Sequence, residues 1–190
     1  MQSSQSEVAG LIERLDAATK EGCMETITSG VKAAMIDVVG KGALKLCDKD
    51  VETCDGGYGR RLLHLDPAGR YSVVAMIWAK DQGTPIHDHD SLWCVECVYQ
   101  GQIQVTTYEM CPTSTQDVIH FDFYGKADAM IGEAGALIPP HDYHVIENLQ
   151  DETAVTIHVY GGEMKGCNVF VPTEDGKSYV KEHRSLCYSD

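Results

Sequence analysis

No stretch of this chain is apolar for the roughly 20 residues that a membrane-spanning helix needs. Positive charge is also scarce. Lys and Arg number 15 against 29 Asp and Glu, leaving a formal net charge of -14. A field of that sign repels nucleic acid and anionic membrane, so neither is an expected partner. An anionic small molecule would need a local cation. Residues 1–7 lack the basic and apolar regions of a secretory signal, which sets the expectation of a cytoplasmic protein. There is no internal repeat and no low-complexity linker. The eight cysteines (23, 47, 54, 94, 97, 111, 167 and 187) form no compact framework, so reduced thiols are expected. Cys94 and Cys97 are spaced C-x-x-C, but no second pair accompanies them, and on a strand they would face opposite sides.

What is present suits one domain spanning 1–190, with 43% hydrophobic and 23% charged residues. Residues 6 to about 46 read as helical. Val8, Leu11, Ile12 and Leu15 recur at helical spacing, as do Val31, Met35, Val38 and Val39. Breaks are expected at Ser29-Gly30 and around Gly40 and Gly42. The segment 1–50 is read as helices packed outside a sheet. From about residue 58 the pattern changes to short strands at 71–78, 92–99, 102–108, 118–123, 136–138, 153–160 and 168–171, with Gly or Pro between most of them. That rhythm predicts a mainly β sandwich or barrel over 58–172. The polar tail, 173–190, is expected to wrap the surface, with Tyr179, Val180 and Tyr188 as candidate anchors.

Three histidines offer a metal site. His87 and His89 flank Asp88, and on a strand both imidazoles would share one face. His144 lies in a second patch at 139–148. Imidazole suits Fe, Zn, Cu and Ni, and three neutral ligands leave coordination positions open for substrate. Two histidines at a strand end could instead make ordinary hydrogen bonds. His141 competes with His144 as the third ligand, and Glu96 is a further candidate. His64, His120 and His183 read as structural or exposed.

The run from Gly83 through His87 and His89, followed by Gly101, is similar to the first motif of the cupins. Residues 139–148 resemble the second. The resemblance implies a double-stranded β-helix, or jelly-roll barrel, holding a metal inside. Cys94 stands where cupins usually carry a metal-binding glutamate, and His141 where the second motif usually has glycine. A cysteine at that position resembles the thiol dioxygenases, and the cysteine dioxygenase family most closely. The resemblance runs from about Tyr58 to Cys167 and includes Tyr58, Arg60, Trp78, His87, His89, Cys94, His144, Asn148, His158 and Tyr160. It implies ferrous iron held by His87, His89 and His144. It further implies carboxylate binding by Arg60, with Tyr58 and Trp78 beside the substrate, and a Cys94–Tyr160 pair able to form a thioether crosslink. Cys167 matches a family cysteine near the pocket entrance.

Each position has a plainer reading. Arg60 could form a surface salt bridge, with Arg61 its rival for the functional role. Cys94 could be a small buried apolar residue. Tyr58, Trp78 and Cys167 could be core. Thr156, His158 and Tyr160 share one strand face, and a relay from the Thr156 hydroxyl through His158 to the Tyr160 hydroxyl is expected. The reading is an iron(II) thiol dioxygenase that oxidises L-cysteine with O2 to cysteine sulfinate. Two rivals stand beside it. Residues 66–74 and the stretch from His158 resemble bacterial 3-mercaptopropionate dioxygenases, although those usually carry glutamine at the Arg60 position and glycine at the Cys94 position. A non-oxidative metal-binding cupin is the other. The sequence leaves oligomeric state open, with a monomer the simpler expectation.

Overall fold

The computed structural model describes residues 8–115 and 117–189. Helices α1 (Ala9–Ala18), α2 (Met24–Gly40) and the single turn α3 (Asp48–Val51) come first. Eleven strands follow among the described residues: β1 (Gly59–Leu65), β2 (Ser72–Trp78), β3 (Ile86–His87), β4 (Cys94–Gln100), β5 (Gln102–Met110), β6 (Phe121–Met130), β7 (Ala134–Leu137), β8 (His144–Glu147), β9 (Ala154–Tyr160), β10 (Gly166–Pro172) and β11 (Tyr179–Ser185). They form two antiparallel sheets, ordered β1-β2-β9-β4-β7 and β11-β10-β3-β8-β5-β6.

The first sheet is buried on both faces. On β2, Val73, Ala75 and Ile77 pack with Leu11, Leu15, Val31 and Met35 of the helices. Val74, Met76 and Trp78 point the other way, into a core between the sheets. Strand β9 divides likewise, with Val155, Ile157 and Val159 toward the helices and Ala154 and Tyr160 inward. This two-sided burial explains why both strands read as continuous apolar runs rather than alternating ones.

The sequence misplaced the helix break. Ser29 and Gly30 lie inside α2, and the chain turns instead at residues 19–23. The Thr19 hydroxyl donates to Leu15 O at 2.8 Å, and Gly22 adopts φ 143°. Gly30 serves as a contact point: a Cβ there would come within 3.1 Å of the Ala18 side chain. A glycine can therefore mark where two helices touch rather than where one ends. The second expected break is present, since α2 stops at Gly40 and Gly42 has φ 65°.

Between β4 and β5 the chain passes from one sheet to the other through Gly101. Its φ is 73°, and a Cβ there would lie 3.0 Å from Ala154 Cα, so both conformation and space call for glycine. The tail does more than wrap the surface. Residues 179–185 form β11, an edge strand paired with β10 along its whole length.

Candidate metal centre

His87 and His144 are direct cross-strand partners on β3 and β8. The expected placement of His-x-His on one strand is only half met, because β3 ends at His87. His89 lies in the following loop, where its backbone N–H donates to Asp142 Oδ2 at 3.1 Å. The three imidazoles still converge, offering one nitrogen each within 4.8 Å of one another. His89 and His144 are buried and His87 is partly exposed.

The Nδ1 atoms are all engaged. His87 Nδ1 faces Pro85 O at 3.1 Å, His144 Nδ1 faces Asp142 O at 2.8 Å, and His89 Nδ1 faces Asp142 Oδ2 at 3.2 Å. With Nδ1–H as donor, each Nε2 keeps a free lone pair. His144 Nε2 is buried without any hydrogen-bond partner among the described residues. Loss of hydration, reinforced by the neighbouring imidazoles, lowers the His87 pKa to about 4 and pushes that of His144 well below its ordinary value. Neutral rings with an orphaned buried nitrogen suit a cation better than a hydrogen-bond network. His141 is exposed, as expected of a loop residue.

Against the triad lies a narrow inner pocket of about 20 Å³, which Tyr58, Arg60, Trp78, His158, Tyr160 and Met164 help to line. It joins an outer cavity of about 390 Å³ at Tyr58, Thr84, His87, Cys167 and Leu186. Arg60 is only 5% exposed. Its Nη1 donates to Cys187 O at 3.1 Å and its Nη2 to Met164 O at 3.3 Å. Among the described residues no carboxylate pairs with it. Arg61 takes the opposite side of β1, where its Nη2 donates to Glu52 O at 3.2 Å. Arg60 is therefore a buried cation at the pocket wall. Tyr58 leans on Trp78 with ring centroids 4.7 Å apart.

The polar face of β9 differs from expectation. Trp78 Nε1–H donates to Thr156 Oγ1 at 2.9 Å, and Thr156 Oγ1 lies 2.8 Å from His158 Nε2. The relay stops there. The Tyr160 hydroxyl donates to Met76 Sδ at 3.6 Å, and its ring stacks on His158 at 5.8 Å. The other side of His158 is occupied by Cys94 Sγ at 3.8 Å and Glu96 Oε2 at 3.7 Å from Nδ1. Glu96 thus faces His158 and is not among the residues that converge with the triad. Burial raises its pKa to about 7 and lifts those of Cys94 and Tyr160. Cys94 and Tyr160 are cross-strand partners on β4 and β9. Cys97 turns into the helix-side core, so the C-x-x-C sulfurs do face opposite sides.

A family model described as cysteine dioxygenase type I matches residues 54–172. The chain belongs to the cysteine dioxygenase type I family. Cysteine dioxygenase type 1 of Danio rerio is 23% identical over 103 residues, covering 54% of this chain and 50% of the relative. The Homo sapiens protein is 22% identical over 105 residues, with the same coverage. The chain thus spans about half the length of these curated relatives. Among solved structures, one from a study of oxalate oxidase superposes with a TM-score of 0.50 at 18% identity, over 67% of this chain and 63% of that one. An RmlC-like cupin from Desulfovibrio desulfuricans gives 0.45 at 14% identity, over 62% and 93%. The fold is a mainly β cupin.

Within that family frame, sequence reasoning missed Asp142 and Met76, which help to hold the site's shape. Asp142 orients two of the three imidazoles, and Met76 receives the Tyr160 hydroxyl. Asn148 ties the end of β8 to β2 by donating to Trp78 O at 2.9 Å. Asp142 precedes His144 by two residues, a spacing that could have flagged it.

Proposed function

We propose that this protein is an iron(II) thiol dioxygenase that oxidises L-cysteine to cysteine sulfinate. The observation that carries the reading is a buried Arg60, with no carboxylate partner among the described residues, lining the same small pocket as His87 and His89 of the histidine triad. Family membership supports the reaction class. We take 1–190 as one cupin domain acting on a small thiol carboxylate and O2.

Through Nε2, His87, His89 and His144 would hold a ferrous ion, which would bind the substrate thiolate and activate O2. The remaining work falls to the chain. Arg60 holds the substrate carboxylate through a planar fork whose geometry matches two oxygens. Trp78 and Tyr58 wall the pocket and exclude water, and the narrow space favours a small substrate. Asp142 fixes the rotation of His89 and His144. Thr156, anchored by Trp78, keeps His158 oriented beside Tyr160. The net reaction places both oxygen atoms on sulfur, and the thiol becomes a sulfinate. Cys94 and Tyr160 are read as the pair that forms a thioether. That bond removes one hydrogen from sulfur and one from the ring, and these two protons and two electrons would reduce one O2 to hydrogen peroxide.

The test is oxygen uptake by iron-loaded protein given L-cysteine, 3-mercaptopropionate or cysteamine, with products identified. We expect sulfinate from L-cysteine, and Arg60→Ala raising KM for thiol carboxylates at unchanged iron content. Preference for 3-mercaptopropionate would change the substrate and keep the chemistry. No uptake with any thiol at full iron loading would overturn the reading in favour of a non-oxidative cupin.

A further inference from the structure

Residues 186–189 leave β11 and return across the barrel mouth onto β1. Leu186 N–H donates to Lys165 O at 2.8 Å. Ser189 N–H donates to Arg60 O at 2.6 Å, and Arg60 N–H donates to Ser189 Oγ at 3.1 Å. The same short segment reaches the guanidinium twice. Cys187 O accepts from Nη1, and the Tyr188 ring lies 5.2 Å from Cζ. Leu186 lines both the inner pocket and the outer cavity.

A guanidinium has five N–H donors in one plane. Carbonyls at Cys187 and Met164 engage one donor on each terminal nitrogen, and the Tyr188 ring adds a contact of cation–π range. That leaves donors free while removing rotational freedom. A fork fixed before the ligand arrives loses less entropy when it binds. The Tyr188 hydroxyl is buried without a hydrogen-bond partner among the described residues, so its ring makes the contact that matters.

We propose that residues 186–189 form a strap that positions Arg60 for the substrate carboxylate, with Tyr188 as its principal positioning residue. The inference rests on the thiol dioxygenase reading. A strap of this kind tunes recognition of the carboxylate, not oxidation of the sulfur.

The experiment compares Tyr188→Leu, Tyr188→Phe and the parent protein. One arm measures KM and kcat for L-cysteine, together with the inhibition constant of cysteamine, which has no carboxylate. The other follows hydrogen exchange of the Arg60 side-chain N–H by NMR, with the signal assigned through Arg60→Lys. Tyr188→Leu is expected to raise KM for L-cysteine about tenfold, with kcat within about twofold and the cysteamine constant unchanged. Its Arg60 exchange should accelerate by a similar factor. Tyr188→Phe should restore both values, since the ring remains. Equal weakening of L-cysteine and cysteamine would overturn the positioning role, as would unchanged Arg60 exchange in Tyr188→Leu. If the parent oxidises no thiol, the dioxygenase reading fails. The exchange arm still decides whether the strap holds Arg60.

Discussion

Asp142 shows how much of a site can depend on one residue that binds nothing itself. Its carboxylate meets both the backbone and the ring of His89, and its carbonyl holds the ring of His144. Replacing it with alanine should lower iron affinity about 10–100-fold while the fold persists. Anaerobic titration against a competing chelator would show this, and unchanged affinity would remove Asp142 from its role. Glu96 makes the opposite case, an acid buried at a cost. Its pKa rises from 4.5 to about 7 because burial disfavours the anion. The folded state therefore binds a proton more tightly than the unfolded one. The stability this gives is complete below about pH 4.5 and is lost as pH rises through about 7, a change on the order of 3 kcal/mol. In metal-free protein, Glu96→Gln should flatten the urea midpoint between about pH 5 and pH 8. A slope identical to the parent's would show that Glu96 does not carry the dependence. The convergence of His87, His89 and His144 was legible from their chemistry and spacing, whereas Arg60, Trp78, Cys94 and Tyr160 were singled out through family resemblance; Arg60, Trp78 and Tyr160 line the pocket beside the triad, and Cys94 pairs with Tyr160 across β4 and β9. Asp142 and Met76 were not legible, since their importance comes from contacts across the fold.

At the scale of elements, β2, β4, β5 and β9 and the helical character of the first segment were readable from periodicity. The errors fell on short pieces but also on longer ones: β1 was not read as a strand, and β6 was read as 118–123 although it runs Phe121–Met130. Strand β3 has only two residues and β8 four, too few for any periodic signal. Ser29-Gly30 looked like a stop because the partner that needs a small residue there, Ala18, lies on another helix. Strand β11 was hidden by exposure, since its outward residues are polar and its pairing is main-chain. The helices cover one face of β2 and β9 with a core centred on Leu15, which is fully buried. Leu15→Ala should cost about 2–5 kcal/mol in urea unfolding. KM for L-cysteine should stay the same, because among the described residues none that lines the inner pocket belongs to that core. A changed KM would mean that the helical layer reaches the site.

For the molecule as a whole, acidity and chemistry are separated. A chain of net charge -14 keeps a buried cation for the interior and leaves the surface negative. The family match over 54–172 lies on the barrel, while the two long helices fall outside it. The sheet that both parts share has a further consequence for how such a protein can change over generations. Along β2, neighbouring residues answer to different demands: Val73, Ala75 and Ile77 to the helix-side core, and Val74, Met76 and Trp78 to the core between the sheets, where Met76 and Trp78 also line the inner pocket. Because the two sets alternate one by one, inheritance can reshape the pocket wall at Met76 or Trp78 while the helix-side packing of the same strand stays in place.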